Sequence, residues 1–177
     1  QPRMDANAVN LALLGLRVAA GVVMFAHRWN HLARMREGPG VSNWFESLGL
    51  HPGPAHAWLV TVTELAAGPL LVFGLLTPLG AAAVTGVAAV AWGTNHRNAG
   101  FFVFKRPTEG WEYVMVLTVL GLALGALGPG EWSLDDALGF SWVDGWSGFA
   151  TTAIAGLGGA LALLVLFWRP PREETAS

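Results

Sequence analysis

Apolar residues in this chain come in long runs that lack the polar face of a water-exposed helix. Five runs, over residues 8–26, 58–76, 79–93, 111–127 and 149–168, are each read as a helix crossing a bilayer, whose hydrocarbon core of roughly 30 Å takes about 20 apolar residues. The first run is too long for a signal peptide and lacks its small-residue cleavage pattern. Gly38-Pro39-Gly40 and Pro52-Gly53-Pro54 punctuate the loop that follows it. Thr77-Pro78 is the whole connection between the second and third runs, and Pro78 suits a first helical position, so these two helices are expected to form a tight antiparallel hairpin. Gly121 and Gly125 give the fourth run a small-residue face for helix packing.

The polar punctuation is equally uneven. The third run closes on Asn95-His96-Arg97-Asn98, and the segment 100–106 (Gly-Phe-Phe-Val-Phe-Lys-Arg) reads as interfacial. Between Gly128 and Gly148 there is no Lys or Arg, but there are Glu131, Asp135, Asp136 and Asp144 with Trp132, Phe140, Trp142 and Trp146, the composition of a segment lying on the membrane surface. Within it Ser133 and Asp136 resemble a capping box for a short helix that Gly139 ends.

Composition agrees with a membrane protein: 53% hydrophobic residues against 12% charged, with nine Trp suited to the interfacial belts. The absence of cysteine excludes a thiolate nucleophile, a persulfide carrier, a disulfide or a cysteine-ligated iron–sulfur cluster supplied by this chain. With five crossings, Arg28, Arg34, Arg36, Arg97, Lys105, Arg106, Arg169 and Arg172 fall on one side and only Arg3 on the other, with Arg17 inside the membrane. The positive-inside rule then puts the amino terminus outside and the carboxyl terminus in the cytoplasm of a bacterial inner membrane.

One carboxylate, Glu64, stands inside the second run, where an ionisable side chain costs on the order of 2.5 kcal/mol or more on insertion. Pro69, five residues on, removes the hydrogen bond to the Leu65 carbonyl and bends the helix beside it. Glu64 is therefore read as the centre of a polar site buried between helices, the alternative being a structural ion pair that fixes packing. Arg17, at the middle of the first run, lies within about 4–5 Å of its depth and is the expected partner. Thr61, Ala67 and Gly68 share the Glu64 face. His27, His31, Asn95, His96, Glu112 and Tyr113 gather at the cytoplasmic ends of the helices; such groups hydrogen-bond quinone carbonyls and pass protons. Glu64 and His96 are the candidate proton-relaying catalytic residues, and Arg17, His27, Glu112 and Tyr113 the candidate quinone contacts. His27 and His31, at i, i+4, with His96 and Glu112 form an alternative metal-ligand set, to which no metal is assigned.

In order along the chain, Arg17 with Gly21 and Phe25-Ala-His27, then Trp44-Phe-Glu-Ser-Leu-Gly-Leu, Glu64-Leu-Ala-Ala-Gly-Pro-Leu-Leu-Val-Phe-Gly-Leu-Leu-Thr, Gly100-Phe-Phe, Trp111-Glu-Tyr and Gly128-Pro-Gly-Glu-Trp-Ser-Leu-Asp resemble the DoxX family of small bacterial membrane proteins, over roughly residues 11–138. Arg28 stands where the family has Gly, and His31 where it has Lys. The resemblance implies an all-α membrane protein with a four-helix transmembrane bundle. The fifth, carboxyl-terminal crossing is an addition, dividing the chain into residues 1–138 and 139–177. It also implies a redox role, since relatives include a subunit of thiosulfate:quinone oxidoreductase. The expected function is a membrane subunit of a quinone-linked redox complex that contacts quinone or anchors a catalytic partner. The alternative is a non-catalytic accessory subunit of a respiratory or photosynthetic complex. A transporter is the third reading, but there is no inverted repeat and only Pro69 interrupts a helix.

Overall fold

The computed structural model describes residues 5–36, 38–104 and 109–171, with residues 34–36 as backbone alone. The chain is an all-α membrane protein. Helix α1 spans Ala6–Arg36, α2 Gly40–Ser47, α3 Gly53–Phe73, α4 Thr77–Ala91, α5 Glu112–Leu127 and α6 Leu134–Ala137. The last helix, α7, runs from Gly145 to Phe167 with a π-helical turn at Ala153–Gly158, and α4 runs on into a second π turn at Trp92–His96. Three helices, α1, α3 and α7, are long and apolar enough to cross a membrane, and α5 is shorter at 16 residues.

Helix α1 begins at an Asp5 cap, whose Oδ1 accepts from the Asn7 and Ala8 amides at 2.8 and 3.3 Å. It continues ten residues past the end of the apolar run, because His27, Arg28 and His31 are polar without being helix breakers and the first Gly and Pro come only at Gly38 and Pro39. Arg17 is accordingly in the first half of the helix rather than at its middle. Arg28, counted from sequence among the basic residues on the side beyond the first run, is inside the helix and fully buried.

Helices α1 and α3 run antiparallel at close range. A Cβ on Gly21 would lie 2.7 Å from the Gly68 carbonyl oxygen, so a glycine is needed to let the backbones meet. Helix α3 ends at Gly74 in the left-handed region (φ 62°), the next turn passes through Leu76 (φ 48°), and α4 starts at Thr77 with Pro78 in its first turn. The predicted tight hairpin is present. Ala20, Met24, Ala67, Leu71, Ala81, Val84 and Leu124 form the core where α1, α3, α4 and α5 meet.

The Gly121/Gly125 face packs as expected of small residues, Gly121 against Ala81 and Thr85 of α4 and Gly125 against Gly148 and Thr152 of α7. Thr152 Oγ1 also donates to the Pro78 carbonyl at 3.0 Å. At its far end α7 is tied to the α2–α3 loop: the Arg169 amide donates to Gly49 O at 2.7 Å and Trp168 Nε1 to Leu48 O at 2.9 Å.

The acidic segment closes the opposite end. Ser133 Oγ caps α6 by accepting from the Asp136 amide at 3.1 Å, and Gly139 (φ 73°) ends the short helix. The first carboxylate of α6 does something the pattern did not foretell. Asp135 is fully buried, and its two oxygens accept from the Leu76 and Thr77 amides at 2.6 and 2.9 Å, capping α4 from another part of the chain. The Arg17 guanidinium lies in the same place, donating to Trp132 O at 2.6 Å and Leu71 O at 3.3 Å and interacting electrostatically with Asp135.

Asp135→Ala removes both the cap and the counter-charge of a buried guanidinium, and is expected to lower stability by about 3 kcal/mol. Thermal unfolding in detergent checks this; a loss under about 1 kcal/mol would show that Arg17 does not need the carboxylate.

Candidate functional site

The α1–α3 register decides which charges meet. Gly21 faces Gly68 and Val72, and Gly68 faces Phe25, so Arg17 falls beside Leu71–Gly74 and Arg28 beside Glu64. The expected Arg17–Glu64 pair does not form. Arg17 is engaged with the α3–α4 turn and the acidic segment, and the cation that acts electrostatically on Glu64 is Arg28. Both Arg28 and Glu64 are essentially without solvent exposure, at 0% and 1%. Such a pair is held by mutual neutralisation, and breaking it strands a charge in a low dielectric.

Glu64 lines a cavity of about 620 Å³ between the carboxyl-terminal half of α1, α2, α3, α4 and α7. This is within the usual range for small-molecule sites. Its Oε2 is buried and accepts no hydrogen bond among the described residues. The walls are mostly apolar, from Leu59, Val60, Leu79, Ala83, Val87, Val90, Leu163 and Phe167, and the polar lining is concentrated at one end: His27, His31, His56, Thr63, Thr94 and Asn95. The His27 and His31 rings are 5.0 Å apart, and Trp44 meets His31 edge-on at 6.3 Å. His56, only 6% exposed, packs against Phe167 with 5.4 Å between ring centroids. An apolar chamber with a few hydrogen-bonding groups and flat rings at one end is shaped for an amphiphile with a planar polar head.

Of the residues singled out from sequence, Glu64 and His27 are brought together on this cavity, and His31 and Asn95 join them. Arg17, His96, Glu112 and Tyr113 do not line it. His96 Nδ1 is 2.7 Å from the Glu109 carbonyl and Nε2 is 3.2 Å from the Asn95 amide nitrogen, which ties the π turn to the loop before α5. Glu112 Oε1 accepts from the Val103 amide at 3.0 Å, holding the aromatic loop. That loop is stapled further by Trp92 stacked on Trp111 at 5.3 Å and Phe101 against Trp111 at 4.8 Å. Tyr113 is 43% exposed on the outside of α5. Among the described residues no three His, Asp or Glu side chains converge as metal ligands, so His96 and Glu112 do not complete a set with His27 and His31.

Sequence reasoning missed His56 and misplaced Arg28. His56 precedes the apolar run at 58, yet with Val60 and Glu64 it stands at i, i+4 and i+8 on one face of α3, a spacing that signals it. The basic residues Arg3, Lys105, Arg106 and Arg172 lie outside the described residues.

A family model described as DoxX matches residues 12–97, which take in α1 from Ala12 onward, α2, α3, α4 and the π turn at Trp92–His96. No curated protein and no solved structure matches the chain.

The geometry predicts different couplings for the two arginines. In double-mutant cycles on thermal stability, Arg28→Met with Glu64→Gln should show an interaction above about 1 kcal/mol, and Arg17→Met with Glu64→Gln below about 0.5 kcal/mol. The reverse ranking would place the buried carboxylate in the wrong pair.

Proposed function

Because residues 12–97 match the DoxX family model, we propose that this membrane protein is a subunit of a quinone-linked redox complex and that the Glu64 cavity receives the quinone head. The single observation that carries this reading is the orphaned Glu64 Oε2, buried in the wall of an apolar chamber beside imidazoles and aromatic rings. A quinone, if held there, would supply a two-electron, two-proton acceptor for a donor on a partner subunit. The chain's own part is positioning and proton handling. In its protonated form Glu64 donates a hydrogen bond to a carbonyl oxygen, and Arg28 stabilises the carboxylate left when the proton moves on. His27 and His31, one helical turn apart on α1, give a short path of exchangeable protons toward the inner end of the helix. Trp44, Phe45 and Phe167 exclude water from the chamber.

A second reading is favoured by the acidic segment, where Trp132, Trp142 and Trp146 are exposed, Trp146 by 86%. These rings are a docking surface for a partner subunit. Truncation after Gly128 cannot isolate that role, because it also removes Asp135 and the Trp132 carbonyl from the Arg17 site. Trp142→Ala with Trp146→Ala is the cleaner change, and loss of co-purifying subunits with retained quinone would assign docking to this segment.

From the side on which the basic residues gather, we also propose that the His-bearing end of the cavity faces the cytoplasm of a bacterial inner membrane. In this cysteine-free chain, Trp146→Cys should react with an impermeant maleimide in intact spheroplasts and Asn98→Cys only after lysis. The opposite pattern reverses the orientation. For the site itself, Glu64→Gln should lose bound quinone on gentle purification and lower quinone-linked turnover by at least about tenfold, with assembly retained. Unchanged occupancy and turnover would remove the quinone reading.

A further inference from the structure

The cavity is longer than a polar head requires, and its two halves differ. Gly80 packs against Leu70 and Leu71, so α3 runs antiparallel to α4; Gly86 packs against Gly156 and Gly93 against Leu164, so α7 runs parallel to it. With those registers, Glu64 is level with Val87, and every His on the lining, together with Thr94 and Asn95, lies level with it or toward the inner end. On the other side of Glu64 the lining is Leu79, Ala82, Ala83, Gly86 and Ala155, with no polar side chain. From Leu79 to Val87 this apolar half extends about 12 Å along α4. Its small residues leave room between α4 and α7, and it opens sideways, since Leu79 is 41% exposed and Ala155 is also exposed.

We infer that the outer half of this groove, between α4 and α7, binds the hydrocarbon chain of the ligand whose head sits at Glu64, so that the site selects a chain-bearing lipid amphiphile over a free headgroup. This rests on the Glu64 cavity being the ligand site, and commits further to where the chain runs. Two features on the page point the same way. Among the described residues the buried Glu64 Oε2 has no hydrogen-bond partner and fixes one end of the occupant, and from that point the wholly apolar continuation of the cavity leads outward along Ala83 and Ala155 toward lipid. A linear chain, branched or not, fits between small side chains where a bulky head does not. Its contribution is large, as each methylene taken out of water is worth about fourfold in affinity.

Full-length protein in nanodiscs is titrated with a benzoquinone carrying a decyl chain and with the same ring lacking the chain, with empty nanodiscs correcting for partition. Ala155→Leu fills the groove from an exposed position, Ala83→Val fills it from the other wall, and Ile154→Ala, 74% exposed and off the groove, is the control. The expected result is about tenfold weaker binding of the decyl compound in either groove variant, with the chainless ring and the control changed less than about twofold. Decyl binding unchanged in both groove variants, or both compounds weakened alike, would overturn the inference. Lipid extracts of the purified protein separate it from the quinone reading. A phospholipid that co-purifies and is lost in Ala155→Leu, with neither quinone bound, keeps the chain site and removes the quinone. Chainless and decyl rings bound equally by wild type keep the quinone and remove the chain site.

Discussion

Two buried arginines on one helix, each obliged to meet a counter-charge, constrain this molecule more than any other feature. Arg17 and Arg28 are eleven residues apart on α1, about 16 Å along its axis, and neither reaches water. An uncompensated guanidinium at such positions would cost several kcal/mol. The chain answers the first with Asp135 and the Trp132 carbonyl from a distant segment and the Leu71 carbonyl near the end of α3, and the second with Glu64, about two helical turns back along α3. Because α1 and α3 touch through Gly21 and Gly68, the register that satisfies one arginine also satisfies the other. A slip of one turn would strand both.

The candidate site follows from that constraint. Holding Arg28 against Glu64 brings the inner third of α1, with His27 and His31, over the same face of α3 that carries His56 and Val60. Helix α4, made of Ala, Gly, Val and Thr, leaves space where larger side chains would have closed the bundle, and α7 supplies the far wall. Helix α7 is therefore part of the chamber, pinned at Thr152 to Pro78 and at Arg169 to Gly49. Both π turns, at Trp92–His96 and Ala153–Gly158, contribute residues to the lining, in keeping with the tendency of such turns to occur where a helix is shaped for a site.

What sequence made legible was whatever is decided locally. Long apolar runs, a two-residue connection with Pro78 in place, the Ser133 cap and the Gly121/Gly125 face each depend on a few neighbouring residues, and each is present. The length of α1 was not legible from hydropathy, because a helix stops at a backbone breaker and not at the edge of the lipid. That error of ten residues moved Arg17 from the centre of the helix and sent it to the wrong carboxylate. Helix α2 is too short and too near Gly and Pro for its Val41 and Phe45 face to stand out. The role of Asp135 depends on a contact across 58 residues of chain, which no local pattern encodes. His96, Glu112 and Tyr113 share a membrane depth with the cavity but lie on other faces of their helices, and depth is all that an unpaired sequence supplies.

The most direct test of this account is photoaffinity labelling of the intact protein in native membranes with an azidoquinone, followed by peptide mapping. The account predicts label on the α3 segment around Glu64 and on the facing segments of α1 around His27 and His31 or of α7 around Gly159, all of it abolished by excess unlabelled quinone. Label confined to the 100–104 aromatic loop or the 132–146 acidic segment, or insensitive to competition, would contradict it.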